Sequence, residues 1–319
     1  MPKVSVIVPI YNVAKYIERC ARSLFEQTLD DIEFIFIDDK SPDNSISILK
    51  AVLEEYPQRV AQTIIYHMPC NSGLPTVRKQ GIYMATGDFI ANCDSDDWID
   101  RNMYKLMYDE AVKNNYDIIK CNFARCNETY YKQCYTIPVD HFEDKKLLFN
   151  DLLKGTDLST LCDKLVKRSL FYDNHILHPK DNMLEDYVVT TQLMYYSKKV
   201  GYVKDVLYFY YQNPESICHQ SKTATQILER LNQKKRNVDL IIDFLKDKGI
   251  LDDYGNAVAN LKYSVREEMF PLLSDRKYLV AWKNVYPDLK VRDLIGFKRK
   301  VLFMLVNWGL YPFKTVDCK

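Results

Sequence analysis

No long apolar run, no surplus of charge of either sign and no paired-cysteine spacing occurs in this 319-residue chain. A helix that crosses a bilayer takes about 20 consecutive apolar residues, and no uninterrupted stretch here reaches that length. Lys and Arg number 44 against 43 Asp and Glu, a formal net charge of +1, so no global field draws the protein toward nucleic acid or an acidic partner. The nine cysteines lack a CxxC…CxxC pattern, and Cys121, Cys126 and Cys134 have no histidine at ligand spacing. The spacing of a zinc site is therefore missing, and the expectation is reduced, buried thiols in a cytosolic protein. The opening MPKVSVIVPIYN has too short an apolar core for a secretory signal, carries no small-residue cleavage site and reads as a first strand. Internal repeats and low-complexity linkers are also missing.

With 47% hydrophobic and 27% charged residues, the chain is long enough for a sizeable core plus a smaller appended unit. A β-branched run over Val4 to Pro9 precedes a helical pattern over Ala14 to Gln27, with Ile17, Ala21, Leu24 and Phe25 on one face. The alternation recurs: strands over Ile32 to Asp38, Thr63 to Met68, Asp88 to Cys93 and Tyr116 to Phe123, with helical stretches PDNSISILKAVLEEY, LPTVRKQGIYMA and RNMYKLMYDEAVKNN between them. Ser41 or Asp43 is the expected cap of the second helix. This pattern predicts an α/β fold, a doubly wound and mostly parallel sheet flanked by helices. From about Thr223 onward helices dominate, one of them stopped at Gly249, which divides the chain softly into residues 1–215 and a mainly helical 216–319.

Open parallel sheets bind ligands beyond the carboxyl ends of their strands. That edge collects Tyr11 and Asn12 after the first strand, Asp38 and Asp39 after the second, and Asp94 and Asp96 after the fourth. In NCDSDDWID, Asp94, Asp96, Asp97 and Asp100 crowd charge that must be offset by a cation, a helix terminus or solvent. Asp94 and Asp96 are spaced to hold one hard divalent cation through oxygen ligands. Ile99 and Lys105 stand where a calcium loop needs glycine and glutamate, and Asp97 or Asp100 reads as the cap of the helix opening near Arg101. Capping near residue 42 uses Ser41 or Asp43 and leaves Asp38 and Asp39 free to meet a base or a ribose hydroxyl, while Tyr11 is either a stacking platform or a half-buried tyrosine. Arg78, on a helix after the turn Asn71-Ser72-Gly73, suits a diphosphate. Glu185 and Asp186 open another helix, where adjacent side chains diverge, so one of them at most is expected to face a given cleft; favourable interaction with the helix dipole is the alternative.

Taken in order, VSVIVPIYN, FIFIDDKSPDNS, NSGLPTVRKQG, ATGDFIANCDSDD, CDKLVKRSLF, LEDYVVTTQL and YYQNPESI resemble the family 2 glycosyltransferases of GT-A fold over roughly residues 3 to 217. The resemblance implies an inverting enzyme that moves a sugar from a nucleotide-sugar, usually a UDP-sugar, to a glycan or lipid-linked acceptor in bacterial surface-polysaccharide assembly, with Mg²⁺ or Mn²⁺ at the DxD. Residues 1–215 would then form the transferase domain. It implies Tyr11 and Asp39 at the base with Pro9 and Asp38 beside them, Arg78 near the diphosphate, Asp94 at the ribose and sugar with Ser95 next to it, and Asp96 on the metal. Asp186, preceded by Glu185, matches the aspartate that acts as base. Cys162-Asp163 departs from the tryptophan and asparagine that often precede KL, which puts the packing around Lys164 in question.

Two other readings stay open. A nucleotidyltransferase shares the sheet and the acidic metal ligands, but VPIYNVAKY lacks the glycine-rich loop such enzymes carry after the first strand. A non-catalytic nucleotide-sugar binding protein would keep the donor site without turnover. At the C-terminus, GFKRKVLFMLVNWGLYPFK joins Lys298-Arg299-Lys300 to a short apolar segment with Trp308 and Tyr311. Residues 296–314 are thus either a core-packing helix or a peripheral contact with an anionic membrane on the cytoplasmic face of the inner membrane.

Overall fold

The structure is a computed structural model that describes residues 1–127, 130–134, 138–213 and 223–310. The expected boundary at residue 215 and residues 311–314 of the C-terminal segment, with Tyr311, lie outside the described residues. The chain divides into two compact units, Met1–Phe149 with Asp157–Gln220, and Asn150–Thr156 with Ser221–Lys319.

Along residues 1–213 run β1 (Val4–Ile10), α1 (Ile17–Phe25), β2 (Ile32–Asp38), α2 (Ser45–Glu54), β3 (Thr63–His67), α3 (Leu74–Met84), β4 (Phe89–Asn92), β5 (Trp98–Ile99), α4 (Met103–Asn114), β6 (Ile118–Cys126), β7 (Tyr131–Cys134), α5 (Lys145–Leu153), β8 (Lys164–Lys167), α6 (Arg168–Asp173), α7 (Glu185–Tyr196) and β9 (Val200–Tyr211). They build one sheet in the order β3-β2-β1-β4-β8-β6-β9-β5, with β7 on β6. The pairs β1–β2, β1–β4 and β2–β3 are parallel, as βαβ crossovers require. Beyond β4 the sheet is mixed: β8 runs antiparallel to both β4 and β6, and β9 returns parallel to β6. Val4, Val6, Val8 and Ile10 of β1 pack with Phe34 and Phe36 of β2 and with Ile17, Ala21, Leu24 and Phe25 of α1 in the main core. This is the doubly wound sheet that the strand–helix alternation predicts.

One close approach fixes a helix of the site. A Cβ on Gly81 would stand 2.4 Å from Ile7 Cγ2 and 3.1 Å from Ile37 Cδ1, so α3 lies against β1 and β2 at a distance only glycine permits. Arg78 lies three residues earlier on the same helix.

Two capping expectations are corrected. Asn44 occupies the N-cap position of α2, and Asp43 serves the helix from one residue earlier, its Oδ1 accepting from Ser45 N at 3.2 Å. The cap of α4 is neither Asp97 nor Asp100: the helix begins at Met103 behind Asn102, and Asp100 instead accepts from Asn102 N at 2.8 Å. Asp97 is fully buried and faces β9.

In the second unit, α8 (Ala224–Asp247) starts with a reciprocal Thr223–Gln226 capping box. It ends as expected at Gly249, whose φ of +67° lets Gly249 N and Ile250 N close back on the carbonyls of Lys246 and Leu245. With α9 (Gly255–Glu267), α10 (Lys277–Asn284) and α11 (Phe297–Asn307) it encloses Trp282 and Arg266. The Arg266 guanidinium lies 4.4 Å from the Trp282 ring and donates to Tyr286 O at 2.8 Å. Phe303 and Val306 of α11 are buried, and Arg299 Nη1 donates to Asn260 Oδ1 at 3.1 Å. The middle of α11 is therefore core, while Phe297, Lys298 and Trp308 at its ends are exposed. Among the described residues no helix is long and apolar enough to cross a membrane. Cys20, Cys93, Cys121, Cys126 and Cys162 are buried, and Cys70 is exposed.

Candidate active site

The parallel register sets Ile10, Asp38 and His67 in one row across β1, β2 and β3, so the loops that follow these strands emerge side by side. Pro9 is half-buried in β1, and Tyr11, first residue of its loop, is 49% exposed with no ring stacked on it among the described residues. Asp38 and Asp39 are not the unengaged carboxylates that the sequence suggests. Asp38 Oδ1 accepts from Ser41 N at 2.8 Å, and its Oδ2 lies 2.8 Å from His67 Nδ1. Asp39 accepts from Ser72 N at 2.7 Å and Gly73 N at 2.9 Å, tying the loop before α3 to the end of β2. A carboxylate oxygen has further lone pairs, so both groups retain acceptor capacity. Asn12 and Lys40, which flank these residues, have φ of +55° and +61°, backbone that non-glycine residues enter only when the surroundings over-determine it.

Arg78 is the centre of the constellation. Its Nη2 donates to Asp94 Oδ1 at 2.6 Å, and its Nη1 meets the carboxylates of both Asp186 and Glu185. The expected divergence of Glu185 and Asp186 is overturned: Leu184 takes φ of +65° and turns the chain into α7 so that both first-turn carboxylates reach one guanidinium. Arg78 and Glu185 are sealed from solvent, whereas the side chains of Asp94 and Asp186 stay 30% and 31% exposed. Burial alone would depress the arginine, but Asp186 and Asp94 outweigh it and hold its pKa above the ordinary value. Its Nε–H is buried without a partner.

Beyond Asp94 the acidic loop is braced by β9. Ser95 is buried. Asp96 Oδ2 accepts from Asn213 Nδ2 at 3.1 Å. Burial, then the charge of Asp94, raise its carboxyl above the usual range against the opposing Asn213 bond. Asp97 accepts from Tyr208 Oη at 2.5 Å and Tyr211 N at 2.7 Å; burial, then Asp96 and Asp94, push it well up. Among the described residues no cluster of three or more His, Cys, Asp or Glu is placed to hold a metal. By residue type Asp94 and Asp96 offer hard oxygen donors, with Asp94 Oδ1 on Arg78 and Asp96 Oδ2 on Asn213, and Mg²⁺ takes one or two carboxylates when substrate phosphates and water complete its shell. The donor set therefore fits a divalent ion bound together with a diphosphate.

Asp163 answers the question raised at Cys162-Asp163. It is wholly buried, 2.6 Å from Lys120 Nζ and 2.7 Å from Lys164 Nζ. The two lysines outweigh the burial that would raise it and hold its carboxyl low. Burial pushes Lys164 down, while Lys120 goes up because Asp163 overcomes the same burial. The pair of lysines needs an anion there, which Asp163 provides.

Residues that the sequence does not single out also touch the site. Tyr208, Asn213 and His67 contact site carboxylates through pairings distant in sequence; only Asn213 carries a signal, by standing in YYQNPESI.

The profile of Glycosyl transferase family 2 matches residues 5–184, ending just before Glu185. The glycosyltransferase EpsJ of Bacillus subtilis (strain 168) is 32% identical over 226 residues, which cover 68% of this chain and 63% of EpsJ. The fold is shared with S. aureus TarS 1-349 in complex with UDP-GlcNAc, at a TM-score of 0.71 and 20% identity, covering 96% of this chain and 88% of that one. It is shared also with the mannosyltransferase PcManGT of Pyrobaculum calidifontis in complex with GDP-Man and Mn²⁺, at 0.57 and 17%, covering 98% of this chain and 81% of that one. The sheet is thus a GT-A fold, and with a profile match over more than half its length this chain belongs to glycosyl transferase family 2.

Proposed function

We propose that the protein is an inverting, metal-dependent hexosyltransferase that moves a sugar from a UDP-sugar to a glycan or lipid-linked acceptor in polysaccharide biosynthesis. The observation that carries the reading is the convergence of Asp94, Glu185 and Asp186 on Arg78 at the carboxyl edge of the sheet, beside Asp96. Tyr11, Asp39, Asp38 and Pro9 would hold the base, Asp94 and Ser95 the ribose and sugar, and Arg78 would lie near the diphosphate, behind the Asp94 and Asp186 carboxylates that it holds. Asp96 would hold Mg²⁺ or Mn²⁺, which supplies charge neutralisation for the leaving nucleoside diphosphate. The complexes of TarS with UDP-GlcNAc and of PcManGT with GDP-Man and Mn²⁺ support this donor class and this metal.

Asp186 would act as base. Its carboxylate keeps one face to solvent while the other rests on Arg78, so it can take the proton of an acceptor hydroxyl as that oxygen attacks the anomeric carbon opposite the leaving group. Glu185 would hold Arg78 in place. Inversion needs one carboxylate and no covalent sugar–enzyme intermediate. A lipid-linked acceptor would bring the protein to the cytoplasmic face of the inner membrane, and Phe297, Lys298, Lys300 and Trp308 would make that peripheral contact.

Titration calorimetry with UDP, with and without Mn²⁺, tests the donor site; Mn²⁺-dependent binding that Asp96→Ala weakens is the expected result. Asp186→Asn should keep donor binding and lose transfer. A folded protein that binds neither UDP nor another nucleoside diphosphate refutes the reading, and an Asp186→Asn variant with full turnover refutes the assignment of the base.

A further inference from the structure

We propose that the end of β9 is the positioning element of the donor site, with Tyr208 and Asn213 as the residues that set Asp94 and Asp96; this rests on the donor site proposed above. Tyr208 is fully buried, and its hydroxyl is used twice. It donates to Asp97 Oδ2 at 2.5 Å and accepts from Asp94 N at 3.2 Å, so a single oxygen ties the first and last residues of the Asp94–Asp97 turn to the strand. Tyr211 N takes the other Asp97 oxygen at 2.7 Å, which leaves the Asp97 carboxylate no freedom to rotate. Asp97 is thereby an anchor and not a ligand.

Two residues further on, Asn213 Nδ2 donates to Asp96 Oδ2 at 3.1 Å. The amide turns its NH₂ to Asp96 because a carboxylate only accepts, and its oxygen on the other side accepts from Tyr16 Oη at 3.2 Å. From the other side Arg19 Nη2 donates to the Asp96 carbonyl at 2.9 Å, with its guanidinium 3.8 Å from the Trp98 ring. Asp96 is thus held at its backbone and at one carboxylate oxygen, and Asp94 is held at its N–H. A small divalent ion demands near-ideal oxygen geometry, and partners that orient its ligands commonly change affinity by about 10–100-fold. The end of strand β9 can orient them because Tyr208 to Tyr211, beyond two register shifts, pair without a break with Phe123 to Cys126 of β6, and Tyr208 and Phe209 pair with β5, the two-residue strand that immediately follows the turn.

The test is UDP titration of the full chain with and without Mn²⁺, for wild type, Tyr208→Phe and Asn213→Ala, with thermal unfolding of each. The expected result is that both variants fold, keep wild-type UDP affinity without metal to within about twofold, and lose about tenfold of the gain in affinity that Mn²⁺ confers. Equal Mn²⁺-dependent gain in wild type and both variants overturns the proposal, as does an equal loss with and without metal, which marks general damage. If Tyr208→Phe fails to fold, Asn213→Ala decides alone, since it removes the contact to Asp96 and leaves Tyr208 and Asp97 in place. A wild type that binds no nucleoside diphosphate refutes the donor site itself, and one that binds UDP with no effect of Mn²⁺ refutes the metal and this positioning role together.

Discussion

Replacing Arg78 with methionine removes the cation that three carboxylates share while keeping the length and apolar stem of the side chain. Glu185, only 3% exposed, then has no counter-charge, and Asp94 and Asp186, each about one-third exposed, face one another through a lower-dielectric gap. Removing one partner of a buried ion pair costs about 3–5 kcal/mol because the other charge stays desolvated. The Glu185 pair alone accounts for that range, since the two partly exposed aspartates can turn to water. In a unit of this size each kcal/mol lowers the melting temperature by about 2–4 °C, so Arg78→Met should melt roughly 6–20 °C below wild type. Circular dichroism melts near neutral pH measure it directly. The double variant Arg78→Met/Glu185→Gln, which abolishes the orphaned charge, should recover about half of the loss. Acidification should narrow the gap between Arg78→Met and wild type, because an unpaired buried carboxylate takes up a proton readily. A variant that melts within about 2 °C of wild type, or a double variant no better than the single one, would refute the idea that Arg78 neutralises the site.

Two further outcomes follow from local geometry. Gly81→Ala puts a methyl 2.4 Å from Ile7 Cγ2, so α3 or the Ile7 side chain must give way; the expected cost is about 1–3 kcal/mol in thermal unfolding, with weaker UDP binding where Arg78 moves with the helix. Unchanged melting would mean that the sheet yields instead. His178, packed flat on Phe171, is pushed down to about 4 by burial and by Lys79. A base depressed in the folded state stabilises fully above its unfolded pKa of about 6.5 and loses that contribution as pH falls toward 4, an effect on the order of 2–3 kcal/mol. Denaturant titrations from pH 7 to 4 should therefore show an acid limb that His178→Gln flattens, and an identical limb in the variant would remove His178 as its source.

The strand–helix alternation and the order of the motifs are legible in the residues because β-branched runs and amphipathic spacing are local signals, and the rule that ligands sit beyond strand carboxyl ends needs only the chain direction. By that route Tyr11, Asp38, Asp39, Asp94 and Asp96 fall on one edge without any knowledge of distance, and the turn before its helix adds Arg78. The antiparallel insertion of β8 and the return of β9 beside β6 are not legible, because pairing partners far apart in sequence leave no periodicity. Asp97 and Asp100 read as caps for the same reason. Acidic residues just before a helix resemble caps in any linear reading, and only the position of Tyr208 shows that Asp97 is drawn into the core.

What the sequence by itself determined is therefore the class of fold, the family and the row of loops that bears the site, all consequences of local propensity and of motif order. Tertiary structure alone decided which charges meet. Glu185 and Asp186 share Arg78 because Leu184 bends the chain into α7 with a left-handed backbone, and Asp163 is buried because Lys120 arrives from a neighbouring strand to join Lys164 around it. Electrostatic energy depends on distance and burial through space, and neither quantity is carried by separation along the chain.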